Sequence, residues 1–578
     1  MRFPTVVCGF LAALLCAAPA GAEQLPPPMV PEFAIAKPAL GRHGMIATQE
    51  AAATRVGLDI LKRGGNAIDA GVAIGFALAV TLPRAGNLGG GGFMLIHRAD
   101  LRKDSAIDYR ETAPALTTKD VFLDPNGEAD PFKSRYSGLA VGTPGTVAGL
   151  YLAWKTYGSG KLSFAELVAP AAALAHQGLI VSQDVADTLP MARVLLARHP
   201  SSARIYLKAD LSAPQAGDRI ALDDLAATLD RIAAEGPDGF YKGPVAEKIA
   251  AAVHEAGGRM TVEDLANYHA VEREPVRGTY RGHDIVSMPP PSSGGAHVIE
   301  ILNILEGYPL KDAGAGSAAE IHLMAEAEKL AYADRARWLG DPDFVRVPLK
   351  GLVSKDYAAE LRATISEAHA RPAAEIRPGE PQRHDSDQTT HFVVVDGDGN
   401  AVSNTYTLNT LYGSGLVADG TGVLLNNELD DFAAKPGAAN VFGLMGDEAN
   451  APAPLKRPLS SMSPTFVEKD GAIELATGAA GGSRIITTVA QLIVSVFDSG
   501  LNISEATNAP RIHDQLWPDE IQVERGVSPD TMRLLEAMGH KVTVRPAIAS
   551  AQTVARAPDG LLMGASDLRQ RGTLAEGY

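Results

Sequence analysis

The chain has 578 residues, of which 46% are hydrophobic and 21% charged, and its formal net charge is −16. This is the composition of a folded globular protein, and its acidic balance argues against nucleic acid or an anionic membrane as a partner. The length is too great for one ordinary core and allows two large layers or two domains.

Residues 1–22 have the features of a secretory signal peptide: Arg2, an apolar stretch at residues 6–16 and small residues before position 23. No later apolar run is long enough to span a bilayer. Both cysteines, Cys8 and Cys16, lie inside this segment, so the mature chain has no thiol nucleophile and no disulfide. We therefore expect a periplasmic or secreted protein without a membrane anchor.

The first part of the mature chain reads mostly as helix. Residues 48–82 predict two helices broken at residues 63–65, and the second is apolar on most faces, so it should be buried against a sheet. A glycine run at residues 86–92 leads into a strand at 93–96, and another short strand follows at Ile107. Residues 160–270 predict a covering layer of amphipathic helices.

A turn-rich segment at residues 289–295 and a long helix from Ser317 to about Trp338 complete the first part. Beyond residue 391 the pattern changes to hairpins, with turns at residues 396–400 and 469–471. We expect helices to dominate the first two thirds of the chain and strands to begin at this point. Two central sheets covered by helices, an α+β fold with the layer order αββα, accommodate the pattern.

The junction itself is residues 387–391, Asp-Gln-Thr-Thr-His, between a polar, proline-rich run and a strand-like one. Threonine is a good first residue for a strand, so the pair can simply mark a strand. Alternatively, a cut between Gln388 and Thr389 would give Thr389 both a hydroxyl nucleophile and a free α-amine to activate it.

Several other chemistries lack their motifs. The glycine run precedes a strand instead of opening a helix, and no Gly-Lys-Thr loop is present, so we interpret it as close backbone packing. There is no His-Glu-x-x-His pair and no Gly-x-Ser-x-Gly elbow. The acids and histidines near the junction (His384, Asp385, Asp387 and His391) lack the spacing of metal ligands. We predict neither a metal nor a cofactor.

Small polar clusters follow the junction, and each alone is more often a turn or a cap than a site. Together they offer acids, hydroxyls and free backbone N–H groups, which suit a zwitterionic amino-acid group and an oxyanion. Arg110, in the first part, would add a planar fork for a carboxylate. The clusters are residues 405–409, 426–431, 458–462 and 478–484.

These segments, with residues 65–70 and 86–93, resemble the γ-glutamyltranspeptidase family in order and over essentially the whole mature chain. The resemblance implies an N-terminal-nucleophile hydrolase fold that cleaves itself between Gln388 and Thr389. A large chain, residues 23–388, and a small catalytic chain, residues 389–578, would then form one αββα unit. The implied reaction is hydrolysis of glutathione and related γ-glutamyl compounds, or transfer of the γ-glutamyl group to an amino acid or dipeptide.

The family's site residues carry over by motif. Thr389 resembles the nucleophile, with Thr407 bonded near it, and Gly481 and Gly482 resemble the oxyanion hole. The resemblance also implies which residues bind the γ-glutamyl donor. Arg110, Ser460 and Ser461 would bind its α-carboxylate, and Asn409, Glu428 and Asp431 would bind its α-amine.

At two positions this sequence differs from some bacterial members of the γ-glutamyltranspeptidase family. Glu428 replaces a glutamine, so an ammonium should be held more tightly. Phe442, in a lid loop at residues 436–451, replaces a tyrosine that could hydrogen-bond to Asn409, so we expect a looser lid and more hydrolysis relative to transfer.

Two alternatives remain. A glutaryl-cephalosporin acylase of the same fold would leave Glu428 and Asp431 without an ammonium partner, since a glutaryl group has no α-amine. A non-catalytic binding protein for γ-glutamyl compounds would have no need of Thr389, Thr407 and the two glycines.

Overall fold

The computed structural model of the protein describes residues 36–381 and 392–578. The strands of these ranges are β1 Ala39–Gly41, β2 Gly44–Thr48, β3 Gly91–Arg98, β4 Lys103–Tyr109, β5 Leu179–Ile180, β6 Arg219–Ile220, β7 Val271–Arg273, β8 Val276–Tyr280, β9 His283–Ser287, β10 Phe392–Asp396, β11 Ala401–Thr407, β12 Val417–Ala418, β13 Val423–Leu424, β14 Thr465–Lys469, β15 Ala472–Ala480, β16 Ile512–His513, β17 Ile521–Glu524, β18 Val542–Arg545, β19 Ser550–Arg556, β20 Leu562–Ser566 and β21 Leu574–Gly577.

The α-helices are α1 Ala51–Lys62, α2 Ala67–Thr81, α3 Pro131–Tyr136, α4 Thr146–Tyr157, α5 Phe164–Gln177, α6 Gln183–Leu196, α7 Pro200–Tyr206, α8 Asp223–Glu235, α9 Asp238–Tyr241, α10 Gly243–Glu255, α11 Val262–Ala266, α12 Gly294–Leu305, α13 Leu310–Ala313, α14 Ala318–Trp338, α15 Leu349–Leu352, α16 Lys355–Arg362, α17 Arg484–Phe497, α18 Ile503–Asn508 and α19 Pro529–Ala537. None of the helices in the described ranges has the length and hydrophobicity needed to cross a bilayer.

Two seven-stranded antiparallel sheets form the centre of the protein. One has the order β1-β20-β19-β15-β14-β9-β8 and the other β21-β2-β10-β11-β3-β4-β7. In the second sheet β10 and β11, which follow the predicted junction, lie between β2 and β3, which precede it. The parts of the chain on either side of the junction therefore share one sheet.

The layer order follows from the alternation of side chains along the strands. In β10, Phe392 and Val394 join the core formed with α1, α2, α4 and α5, whereas Val393 and Val395 join the core that contains the other sheet together with α12, α14 and α17. Successive residues of a strand point to opposite faces, so this sheet is covered by helices on one side and by the second sheet on the other. The predicted αββα architecture is confirmed.

The glycine run marks close backbone contacts, as predicted. A Cβ on Gly90 would lie 2.1 Å from the carbonyl oxygen of Thr407, and one on Gly92 would lie 2.5 Å from that of Thr405. Only glycine allows this approach of the loop and β3 to β11. The predicted buried helix α2 is also confirmed, since all of its residues are buried and Asn66 caps its first turn.

One prediction about the fold was wrong. Strands do not begin at the junction, because half of the strands in the two large sheets come before it. Those missed include β7 and β8, which end their sheets and carry exposed polar side chains such as Glu272, Arg277 and Thr279. Edge strands tolerate charged residues, so they lack the apolar alternation that identifies a central strand.

Candidate active site

A cavity of about 620 Å³ contains most of the predicted site residues in its lining. Thr389 and Gln388 lie outside the described residues, but Phe392, the first described residue after them, is part of the wall. Arg110 is not part of the lining, but it pairs with Glu428 and Asp431, which are. The predicted residues that line the cavity are Thr407, Asn409, Glu428, Asp431, Ser460, Ser461, Gly481 and Gly482.

The name acid wall is used for Glu428 and Asp431, which line the cavity, together with Arg110 and Glu111, which lie beside them and outside the lining. Arg110 follows β4 and is fully buried; one terminal nitrogen pairs with Glu428, and Nη2 donates to Asp431 Oδ2 at 2.6 Å. Its Nε also donates to the carbonyl oxygen of Pro458 at 3.1 Å. The guanidinium therefore bonds to the two acids that were predicted to hold the α-amine of the donor.

Glu111 is a member of the acid wall that the sequence analysis missed. It is fully buried, and neither carboxyl oxygen has a hydrogen-bond partner among the described residues. Burial, strengthened by the charge of Glu428, raises the pKa of Glu111 well above its usual range. Burial also raises the pKa of Glu428 to about 8, although Arg110 opposes this. Three carboxyls therefore surround one guanidinium. The only feature of the sequence that could have indicated Glu111 is its position next to Arg110.

A second part of the cavity lining, the hydroxyl wall, consists of Ser460 and Ser461. The turn-rich segment at residues 289–295 fixes the backbone of this wall. The N–H of Ser460 donates to the carbonyl oxygen of Pro291 at 2.9 Å, and the carbonyl oxygen of Ser460 accepts the N–H of Ser293 at 2.8 Å. The Ser293 hydroxyl also donates to the Ser460 carbonyl at 2.8 Å. Both wall serines are buried and contribute to the cavity lining, so the segment at residues 289–295 has a role in the site.

Thr407 ends β11, and its hydroxyl oxygen accepts the backbone N–H of Asn409 at 2.8 Å. Asn409 has a φ of 76°, which turns the chain sharply after the strand. The Asn409 side chain donates to the carbonyl oxygen of Asn427 at 2.9 Å. The Thr407 hydroxyl hydrogen has no acceptor in the described part of the chain and remains available to the cavity.

Gly481 and Gly482 connect β15 to α17, with φ values of 152° and 62°. A Cβ on Gly481 would lie 2.8 Å from Ala549, and one on Gly482 would lie 2.5 Å from the Phe442 ring. Within residues 36–381 and 392–578 neither backbone N–H has an acceptor. Free amides next to the N-terminus of a 14-residue helix favour an anion, so this is suitable geometry for an oxyanion.

The lid loop, residues 436–451, touches both the acid wall and the glycines. Asn440 Nδ2 donates to Asp431 Oδ1 at 2.8 Å. The half-buried ring of Phe442 packs on Gly482, and its carbonyl accepts Gln515 Nε2 at 3.2 Å. Phe442 is also part of the cavity lining.

Comparison with known proteins identifies the relatives of this chain. A family model described as Gamma-glutamyltranspeptidase matches residues 53–577. The glutathione hydrolase proenzyme of Escherichia coli (strain K12) is 53% identical over 573 residues, 98% of this chain and 98% of that one.

Two solved structures share the architecture. The cephalosporin acylase from Bacillus halodurans superposes with a TM-score of 0.82 at 28% identity, over 96% of this chain and 99% of its own. The gamma-glutamyltranspeptidase of Helicobacter pylori has a TM-score of 0.57 at 45% identity, over 58% of this chain and 96% of its own.

Proposed function

Because the chain belongs to the γ-glutamyltranspeptidase family of enzymes, we propose that Thr389 opens γ-glutamyl amides such as glutathione and passes the γ-glutamyl group to water or to an amine. The relative that is 53% identical over nearly the whole chain is a glutathione hydrolase. The αββα fold is that of N-terminal-nucleophile hydrolases.

The register of two central strands carries this proposal. Phe392 pairs with Asn404 in the antiparallel ladder of β10 and β11, and each step back along β10 is one step forward along β11. Thr389 precedes Phe392 by three residues in the sequence, and Thr407 follows Asn404 by three. Thr407 has a free hydroxyl hydrogen and lines the cavity, so it suits a partner of the Thr389 hydroxyl.

Cleavage between Gln388 and Thr389 would create the base for the reaction. A free α-amine has a pKa of about 7.7 to 8.0, so near neutral pH a good fraction can accept the hydroxyl proton of Thr389. The oxygen then attacks the γ-amide carbon, the leaving amine takes up the proton, and a γ-glutamyl ester forms. The uncut precursor lacks this amine and should be inactive; the relative from Escherichia coli is named a proenzyme.

The two walls suit the amino-acid end of the donor. We propose that Glu428 and Asp431, with Asn409, hold its α-ammonium, and that Ser460, Ser461 and the guanidinium of Arg110 hold its α-carboxylate. Glu428 and Asp431 pair with the Arg110 guanidinium, and a bound ammonium would replace part of that pairing. Gly481 and Gly482 would stabilise the oxyanion of the tetrahedral intermediate.

The rest of the cavity lining has charges of both signs. Arg84 Nε donates to Asp184 Oδ2 at 2.7 Å, and Arg571 lies 3.6 Å from Asp187. All four residues are part of the lining. These paired charges suit the amine and the carboxylate of an amino acid or dipeptide, which supports transfer as well as hydrolysis. We also propose that residues 1–22 direct the protein to the periplasm or outside the cell.

The acylase alternative rests on the structural match to a cephalosporin acylase. A glutaryl group has the carboxylate but no α-ammonium, so it would leave the buried acids Glu428 and Asp431 without a cationic partner from the substrate. The higher identity to a glutathione hydrolase, 53% against 38% for an acylase proenzyme of Pseudomonas sp. (strain SE83), also favours the γ-glutamyl substrate.

The test uses the wild-type protein and Thr389→Ala. Wild type should give two chains, residues 23–388 and 389–578, and release the amine of a γ-glutamyl anilide faster when a dipeptide acceptor is present. Thr389→Ala should remain one chain without turnover. A wild type that stays uncut and inactive would support the binding-protein alternative, whereas release from glutaryl anilide alone would support the acylase.

A further inference from the structure

Arg335, near the end of α14, is an exception among the buried arginines. The described ranges contain five of them: Arg84, Arg110, Arg335, Arg457 and Arg511. Four pair with a carboxylate. Arg335 has only 5% of its surface exposed, yet no ion pair links it to an acid in the part of the chain that the structure describes.

The partners of Arg335 are two hydroxyl groups at the hydroxyl wall. Its Nε donates to Ser293 Oγ at 2.8 Å, and its Nη2 donates to Ser461 Oγ at 3.1 Å. The Ser293 hydroxyl itself donates a hydrogen bond to the carbonyl oxygen of Ser460. A serine hydroxyl has only one hydrogen to donate, so the hydrogen of Ser293 is already used.

Ser461 is in a different position. Its oxygen accepts from Arg335, but its hydrogen has no acceptor among the residues described. Because the oxygen is occupied on the protein side, the hydrogen is directed to another acceptor, and Ser461 lines the cavity. The hydroxyl hydrogen of Ser461 is therefore free to be donated to a ligand in the cavity.

A buried cation without an acid is costly, since burial removes its hydration. Burial indeed lowers the pKa of Arg335. The ionisable groups that act on it are Tyr332 and Asp431, which favour its charge, and Arg110, which opposes it. Such a charge is suited to an anion that is present only part of the time.

We propose that Arg335 is a positioning residue of the donor site, which holds Ser461 by its hydroxyl oxygen and thereby presents the hydroxyl hydrogen to the α-carboxylate of the γ-glutamyl group. This inference rests on the proposed function, because it takes the donor's carboxylate to lie at the hydroxyl wall. No bond is made or broken by Arg335.

The experiment compares two anilides in the two-chain enzyme. γ-Glutamyl anilide has the α-carboxylate, and 4-aminobutyryl anilide lacks it but keeps the ammonium and the scissile amide. Arg335→Met should raise KM for γ-glutamyl anilide about 10-fold, the loss expected for one hydrogen bond to a charged group, with kcat changed by less than about 3-fold. KM for 4-aminobutyryl anilide should not change, and Arg335→Lys should restore part of the loss.

A double-mutant cycle tests whether Arg335 acts through Ser461. Adding Arg335→Met to Ser461→Ala should have little further effect on KM. Arg362→Met is the matched control, since the hydrogen-bond partners of the Arg362 side chain among the described residues are the carbonyls of Asn303 and Ile304, in another part of the helical layer. It should leave the preference between the two anilides unchanged.

Independent effects of Ser461→Ala and Arg335→Met, or equal losses on both anilides, would overturn the inference. Should Arg335→Met not fold, Arg335→Lys would take its place in the same cycle, and failure of both to fold would make Arg335 structural. A wild type that cleaves neither anilide would instead disprove the proposed function, so the two failures are distinguishable.

Discussion

Arg110 and Arg335 serve the same cavity with opposite partners. Arg110 bonds to Glu428 and Asp431, and Glu111 Oε2 lies 3.9 Å from it, so three carboxyls surround one guanidinium. Arg335 bonds to two neutral hydroxyls. The acid wall thus has more acids than cations, and the hydroxyl wall has a cation without an acid.

This difference explains how a cavity can distinguish the two ends of a zwitterion. An α-ammonium is attracted to the acid wall and an α-carboxylate to the hydroxyl wall, so an amino-acid group is favoured in one orientation. Each charge sits in a buried environment, where the interaction is stronger than in water. The comparison suggests that each wall can be altered separately.

The largest effect is expected for Arg110→Met. Removal of one partner of a buried ion pair costs about 3–5 kcal/mol, because the remaining charges stay buried. Arg335→Met removes only bonds to neutral hydroxyls, for which about 1–2 kcal/mol is expected. Unfolding of both variants by denaturant, in uncut Thr389→Ala chains, measures the difference. Equal losses of stability would mean that the two arginines are not distinguished by their partners.

A smaller effect is expected for Glu428→Gln, which changes only the acid wall. Above pH 8, where Glu428 is ionised, KM for γ-glutamyl anilide should rise about 10-fold in the variant, since one charge facing the ammonium is lost, and glutaryl anilide should become a better substrate. Burial raises the pKa of Glu428 to about 8. The wild-type KM should therefore decrease as the pH rises from 6 to 8 and Glu428 loses its proton, and this decrease should be absent in the variant.

The pH dependence of stability gives an independent check on the direction of the Glu428 pKa shift. Because the folded-state pKa of Glu428 is above its usual 4.5, the folded protein binds more protons than the unfolded chain between pH 4.5 and 8. The free energy of unfolding should fall as the pH rises through this window, and Glu428→Gln should reduce the slope. Glu111→Gln removes a second carboxyl whose pKa is raised by burial, so it should also reduce the slope of stability, but it should leave the pH dependence of KM in place.

Much of the fold could be predicted from local pattern. The hairpin of β10 and β11 has a polar turn between two apolar strands, and α2 is apolar all round. The edge strands β7 and β8 could not be recognised, because what makes them strands is a neighbour distant in sequence. Their own residues would suit a loop equally well.

The site shows the same limit. Glycines, paired acids and serines could be placed by motif, and all of these that the structure describes line one cavity. Arg335 could not be found, since α14 buries Glu326, Lys329 and Asp334 as well. On a helix with buried charges on several faces, periodicity does not show which side chain meets a serine 126 residues away.

The smallest effect is expected for Phe442→Tyr in the lid loop, which contacts both the acid wall and the glycines. Phe442 packs on Gly482 but has no hydroxyl, and the Asn409 amide bonds to Asn427 instead. A tyrosine could bond to Asn409 and hold the lid more tightly against water. One added neutral hydrogen bond should raise the ratio of transfer to hydrolysis about 2- to 5-fold, measured with γ-glutamyl anilide and a dipeptide acceptor. Phe442→Leu should not raise it. An unchanged ratio in Phe442→Tyr would mean that the two walls, and not the lid, decide whether water or an amine receives the γ-glutamyl group.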